Sequence, residues 1–327
     1  MVIDIHGHYI PLLGNSDFKS LFYIEEDCDH TRYIRLNGNV FAKLDEGLVS
    51  LEKHMEDMDR AGIDHRVLSV APFVFYYELE SNMSTKWAKV VNDQMYRDIR
   101  PYSDKFYALA TLPMNSVDEA CRELERTMRE YNFLGAEIAT NINGIELDDR
   151  CLYSFWEKAE ELGAFILLHP HYTAAKDRLA DFHLRNIIGN PLDTTIAAMR
   201  MILGGVFEKF PKLKIGLSHS GGYLPLAVSR LDKGYKVRRE LSHLPSAPST
   251  YLKKFYYDSI TFDTKVFQFV VDNVGVDRML IGTDYPFDMR CEEPVRAIEM
   301  LDIDEWGKNQ IYIDNAKNIF KSRLKVR

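Results

Sequence analysis

The chain is poor in cysteine, and what it has is scattered. Cys28, Cys121, Cys151 and Cys291 form no Cys-x-x-Cys pair. That argues against a disulfide framework and for reduced thiols in a cytoplasmic protein. No run of five basic residues exists, and 49 acidic residues outnumber 41 basic ones, for a net charge of −8. A nucleic-acid surface is therefore not expected. The basic tail, Lys321 to Arg327, is short and reads as a solvated end. No apolar stretch is long enough to span a bilayer. Asp4 and His6 interrupt the apolar N-terminus, which argues against a secretory signal. There is no Gly-x-Gly-x-x-Gly after a strand and no Gly-Lys-Ser/Thr loop, so no phosphate cradle is expected. Repeats, low-complexity tracts and interdomain linkers are also missing.

What remains is an ordinary globular composition, 46% hydrophobic and 28% charged over 327 residues. Short apolar runs alternate with amphipathic stretches. Strands are expected at Val2–Ile5, Arg66–Val70, Tyr107–Thr111, Gly135–Ala139, Phe165–Leu168, Lys214–Ser218, Phe255–Asp258 and Met279–Ile281. Helices are expected at Leu48–Ala61, Trp87–Ile99, Val117–Tyr131, Leu152–Leu162, Thr195–Phe210, Leu224–Tyr235 and Val266–Val274, with a last one over Asn315–Ser322. Gly62 and Gly163 stand where helix C-caps want glycine. Eight strand–helix units predict an α/β (β/α)8 barrel, in preference to a doubly wound open sheet. The chain is somewhat long for a barrel. The excess falls at residues 12–47, an expected insertion over the barrel mouth within one domain spanning 1–327.

The first strand ends in His6-Gly7-His8, two imidazoles at strand spacing i, i+2, hence on one face. Alone the pair is weak evidence. Other strand tips strengthen it. The fifth runs into His169-Pro170-His171, the sixth into His219, and the eighth into Gly282-Thr283-Asp284. In a barrel these tips converge on one face. Three imidazoles and a carboxylate suit one divalent ion, Zn2+ first, with Mn2+ or Fe2+ permitted. Such an ion polarises a substrate oxygen or activates water.

These motifs resemble a known family. Ile3 to Pro11, Leu168-His169-Pro170, Ser218 to Gly222, Gly282 to Phe287, Glu56 to Asp64 and Asn315-Ala316-Lys317 are similar to the amidohydrolase superfamily. More narrowly, they resemble its branch of metal-dependent decarboxylases, which contains 2-amino-3-carboxymuconate-6-semialdehyde decarboxylase. The resemblance implies that His6, His8, His169 and Asp284 hold the metal. It also implies that His219 is the acid/base group, with Asp284 sharing the proton handling. Strand four, Gly135 to Ala139, has no lysine, which fits a mononuclear site. His171 is expected to line the pocket or the surface, because Pro170 breaks strand alternation.

The expected substrate is a small unsaturated or aromatic carboxylate, which loses CO2 without oxidation. A hydrolase of an amide, ester or lactone, or a hydratase of the same branch, are the alternatives. The resemblance implies that Arg230 reaches a neighbouring subunit's substrate, hence a homodimer. It also implies a second arginine in the insertion, but Ala42 stands there, between Phe41 and Lys43. Lys43 can substitute as a point charge without a guanidinium's fork, and Arg32 or Arg35 are other sources. Aromatic residues Phe73 to Tyr77, Tyr285 and Phe287 follow strands two and eight, and Phe287 is a candidate substrate contact.

Overall fold

The computed structural model describes residues 1–13, 18 and 21–325. In chain order, β1 (Ile3–His8) precedes β2 (Phe22–Glu26), β3 (Arg32–Leu36), β4 (Asn39–Lys43) and α1 (Leu51–Ala61). Alternation then sets in with β5 (His65–Ser69), α2 (Ser81–Ile99), β6 (Phe106–Ala108), α3 (Val117–Glu130) and β7 (Gly135–Ala139). A small hairpin, β8 (Asn141–Ile142) and β9 (Ile145–Glu146), leads to α4 (Tyr153–Leu162) and β10 (Phe165–His169). Next come α5 (Asn190–Leu203), α6 (Val206–Lys209), β11 (Lys214–Leu217), α7 (Leu224–Val237), β12 (Phe255–Tyr257) and α8 (Thr264–Val274). Short helices α9 (Pro294–Glu299), α10 (Glu305–Asn309) and α11 (Asn315–Phe320) follow.

The strands close into a barrel. β1, β5 and β6 pair in parallel, as do β7, β10, β11 and β12. One seam is closed where Ala110 N donates to Gly135 O (2.9 Å) and Glu137 N donates to Ala110 O (3.0 Å). The eighth position is the segment 279–281. There Leu280 N donates to Tyr257 O and Ile5 N donates to Ile281 O, both at 2.8 Å. This segment holds its neighbours by isolated bridges rather than a full ladder, because the chain turns at once into Gly282-Thr283-Asp284, with Asp284 at φ 62°. The expected (β/α)8 barrel is the observed fold. Its lower interior is filled by Ile3, Ile5, Val67, Phe165 and Leu167, and α11 covers that end with Ile319 and Phe320.

A bulge in β1 sets up the site. Asp4 pairs with Arg66 and Gly7 with Leu68, so Ile5 and His6 together oppose Val67. Strict alternation would put Asp4 and His6 on one face. The extra residue shifts the phase. Ile5 joins the barrel interior, Asp4 turns outward to Arg66, and His6 and His8 gather with His169, whose ring is 5.1 Å from both. Gly7 is needed because a Cβ there would meet the Arg66 side chain at 2.7 Å.

Some expected boundaries move. The helix expected over Thr195–Phe210 is two, α5 and α6, because Gly204-Gly205 intervenes and Gly205 is left-handed (φ 72°). α1 starts at Leu51, not Leu48, because Ser50 caps it by accepting from Lys53 N. α2 starts six residues before Trp87. The final helix ends at Phe320. Between β1 and α1, the segment read only as an insertion carries an antiparallel sheet in the order β2-β3-β4.

Candidate metal centre

Four side chains converge at the carboxyl end of the barrel. His6, His8, His169 and Asp284 each offer one ligand atom, all within 4.8 Å of one another, and all four residues are buried. Each imidazole is oriented from behind. His6 Nδ1 faces Asp258 Oδ2 (2.8 Å), His8 Nδ1 faces Val70 O (3.1 Å) and His169 Nδ1 faces Pro170 O (3.0 Å). Acceptors at Nδ1 put its proton there and turn the Nε2 lone pair inward. His6 Nε2 and His8 Nε2 then face each other at 3.1 Å. His169 Nε2 and Asp284 Oδ1 are buried without a hydrogen-bond partner among the described residues. Asp284 Oδ1 lies 3.0 Å from His8 Nε2 and 3.5 Å from His6 Nε2. Inward nitrogens and a carboxylate with no donor to satisfy them are a donor set for a cation.

The electrostatics agree. Burial opposes ionisation of Asp284, but the imidazoles of His6, His219 and His8 outweigh it and hold its carboxyl well below the usual carboxylate range. Burial, then the neighbouring imidazoles, push His169 well below the ordinary histidine value. Burial also works against a charged His6, yet Asp284 and Asp258 win and raise it to about 9.

His219 stands beside the cluster. Its Nε2 is 3.4 Å from Asp284 Oδ2, and its Nδ1 has no hydrogen-bond partner among the described residues. Its backbone is left-handed, as is that of Asp284. Such conformations cost of order 1–3 kcal/mol and concentrate at functional sites. Two carboxylates overdetermine them. Asp258 accepts from His219 N (2.9 Å) and Ser220 N (2.7 Å) as well as orienting His6. Asp4 accepts from His6 N (3.0 Å), Thr283 N (3.1 Å), Thr283 Oγ1 (2.6 Å) and Arg66 Nε (2.7 Å). One carboxylate thus ties β1 to the turn that carries Asp284. Arg66, fully buried, also donates to Asp57 (2.8 Å). Sequence reading missed these supports. Their signals were a charged residue inside an apolar strand (Arg66) and a carboxylate ending the seventh strand (Asp258). Below the centre lies Glu137, fully buried, its pKa raised by desolvation.

The remaining candidates are placed as follows. Phe287 packs its ring 5.1 Å from His8. Phe73 lies 6.4 Å from Phe287, and Phe41 4.6 Å from Phe73, so a line of rings runs from β4 to the centre. Phe41 lies between the pairs Ala42–Ile34 and Val40–Arg35, at a register shift that re-aims its side chain. Lys43 and Arg230 are exposed, make no ion pair among the described residues, and are not brought into the cluster. Arg32 pairs with Glu46 and Arg35 with Glu25, so neither fills the place of Ala42. His171 sits outside the cluster against Phe75 and Tyr172, and burial lowers it to about 4.

The amidohydrolase family model matches residues 3–321. The chain belongs to the amidohydrolase family. It is 30% identical over 322 residues to the 2-amino-3-carboxymuconate-6-semialdehyde decarboxylase of Dictyostelium discoideum, covering 96% of this chain and 90% of that one. It is 28% identical to the gamma-resorcylate decarboxylase of Polaromonas, with 83% and 87% covered. Among solved structures, 5-carboxyvanillate decarboxylase of Novosphingobium aromaticivorans, complexed with manganese and a nitrobenzoic acid, superposes at a TM-score of 0.78. It is 26% identical, covering 84% of this chain and 82% of that one. These relatives put this amidohydrolase in the decarboxylase branch. No helix among the described residues is long and apolar enough to cross a membrane.

Proposed function

We infer that this amidohydrolase is a metal-dependent, non-oxidative decarboxylase of a small unsaturated or aromatic carboxylate. The observation that carries the reading is the inward-facing His6, His8, His169 and Asp284 donor set with His219 left beside it. We assign those four as metal ligands. Three imidazoles and a carboxylate favour Zn2+, with Mn2+ and Fe2+ as competitors. When bound, a divalent ion supplies a Lewis acid for the substrate's oxygens.

The chain's own groups handle binding and the proton. The carbon that bears the leaving carboxylate takes a proton from His219, whose Nε2 is held 3.4 Å from Asp284 Oδ2. The carbon–carbon bond then breaks, its electron pair returns to the substrate's unsaturated system, and CO2 departs. The left-handed backbone at His219 and the Asp258 clamp aim the imidazole for that transfer. Phe287 is assigned to one face of the substrate, with Phe73 and Phe41 continuing it outward. Lys43, two residues beyond Phe41, is assigned to an anionic substituent. In this reading residues 12–47, of which 14–17 and 19–20 lie outside the described residues, form an insertion over the mouth of one domain. Support comes from the Phe41–Phe73 contact and from Tyr76, whose hydroxyl donates to Leu21 O (2.7 Å).

A homodimer completes the proposal. Arg230 lies one turn beyond Leu226, which is 68% exposed, and Phe182, another large apolar residue, is 87% exposed. An exposed apolar side chain one turn from a guanidinium that makes no ion pair among the described residues suits a subunit contact that brings Arg230 to a neighbour's substrate. Four free thiols support a reducing, cytoplasmic setting. CO2 release from hydroxybenzoates or aminomuconate semialdehydes tests the reaction; turnover of lactones alone would replace it with hydrolysis.

A further inference from the structure

Strand β7 has no lysine, yet its middle residue is an acid, Glu137. Ile138 packs outward in the same core as Ile166 and Leu168. Alternation therefore turns Glu137 into the barrel beside Leu167, its partner in register. His169 stands two residues further along β10, one layer higher. An acid thus sits just above layers filled by aliphatic and aromatic side chains. Glu137 is fully buried, and neither of its carboxylate oxygens has a hydrogen-bond partner among the described residues. The neighbouring hydroxyl, on Ser69, is turned to Gly7 O (3.4 Å). Its one ion-pair contact among the described residues is His8 Nδ1, at 4.0 Å, and that nitrogen already has Val70 O at 3.1 Å.

A buried carboxylate without a partner is costly, and a fold keeps one only where something offsets it. Glu137 is too far from His8 to hydrogen-bond. It also stands outside the group of four whose ligand atoms lie within 4.8 Å of one another. We propose that Glu137 is a counter-charge of the metal centre, a carboxylate beneath the ligands that strengthens metal binding without coordinating. This rests on the four-ligand assignment and adds to it. Neutral imidazoles bring no charge, so Asp284 by itself offsets only half the charge of a divalent ion. Asp258, behind His6, and Glu137, under His8, add negative charge from outside the ligand set. In the low dielectric of the barrel interior such a charge acts strongly across several ångströms. A carboxylate near the far side of a ligating imidazole also raises that ligand's basicity.

Two variants separate charge from shape. Glu137→Gln keeps the shape and removes the charge, whereas Glu137→Asp keeps the charge and gives up a methylene. Competition against a chelating dye reads zinc affinity, and calorimetry of the metal-free protein reads stability. Glu137→Gln should bind Zn2+ about 10–100-fold more weakly. Metal-free, it should melt no lower than the unaltered protein, because no hydrogen bond of the carboxylate is lost. Glu137→Asp should rank the other way, with the tighter zinc binding of the two and the lower melting temperature, for the cavity it leaves. A residue needed only for packing would lower both readings together. Cobalt-substituted Glu137→Gln should keep the visible absorption bands of the cobalt-substituted unaltered protein, since the ligands are the same. Unchanged zinc affinity or a lower metal-free melting temperature in Glu137→Gln, zinc binding by Glu137→Asp no tighter than by Glu137→Gln, or shifted cobalt bands would each overturn this inference alone. An unaltered protein that takes up no zinc would sink the ligand assignment and this inference with it.

Discussion

Replacing Arg66 by methionine removes a guanidinium that no solvent reaches and that three side chains share. Asp4 and Asp57 accept from it at 2.7 and 2.8 Å, and His54 Nδ1 lies at 3.1 Å. Methionine fills much of the volume but leaves buried Asp4 without its cation and Asp57 with only the exposed Arg60, at 2.6 Å. Breaking a buried pair from one side costs about 3–5 kcal/mol. For a chain of 327 residues, the unfolding entropy converts that into a fall in Tm of about 4–7 °C. The effect also reaches the metal. Asp4, released from Arg66, no longer holds His6 N and Thr283 in one arrangement, so metal affinity should fall by about 10–100-fold. Calorimetry of the metal-free protein reads the first quantity, and competition against a chelating dye reads the second. Arg66→Lys should recover only part of either, because an ammonium cannot fork to Asp4, Asp57 and His54 together. A Tm within about 1 °C of the unaltered protein, together with unchanged metal affinity, would refute the reasoning.

Other outcomes follow from the same geometry. His6→Ala and Asp284→Ala should lose bound metal by elemental analysis, whereas His219→Ala should keep it and lose about 10²–10⁴-fold in turnover; full metal retention in Asp284→Ala would argue against four ligands. His6 is raised to about 9 from 6.5 by Asp284 and Asp258 against the cost of burial. Its stabilising charge in the metal-free protein is complete below about pH 6.5 and fades as pH rises through about 9. Metal uptake must release that proton, so apparent affinity should climb between pH 6.5 and 9 in a pH-stepped titration; a flat profile would contradict it. Mixing inactive His219→Ala with inactive Arg230→Ala should restore activity if subunits share a site, and no recovery would count against the dimer assignment.

The barrel was legible because its strands are short apolar runs that alternate with helical periodicity, and that pattern survives any detail of packing. The group of ligand-type residues was legible for a related reason. A barrel gathers strand tips, so histidines and an aspartate at the tips of strands one, five, six and eight had to meet. The sheet β2-β3-β4 was not legible, since its strands are mixed in polarity, β2 and β3 are only partly buried and β4 is largely exposed. The Gly204-Gly205 break was hidden inside a continuous apolar pattern.

The sequence by itself determined the fold class, the family and the residues able to hold a metal, because these depend on residue type and spacing along one strand or helix. The tertiary structure alone decided how those residues are aimed. Alternation puts Asp4 and His6 on the same face, and only the bulge opposite Val67 sends one outward to Arg66 and the other in beside His8 and His169. Asp258 and Thr283 matter through partners 252 and 279 residues away. No local pattern encodes contacts at that separation, since they exist only once the barrel has closed.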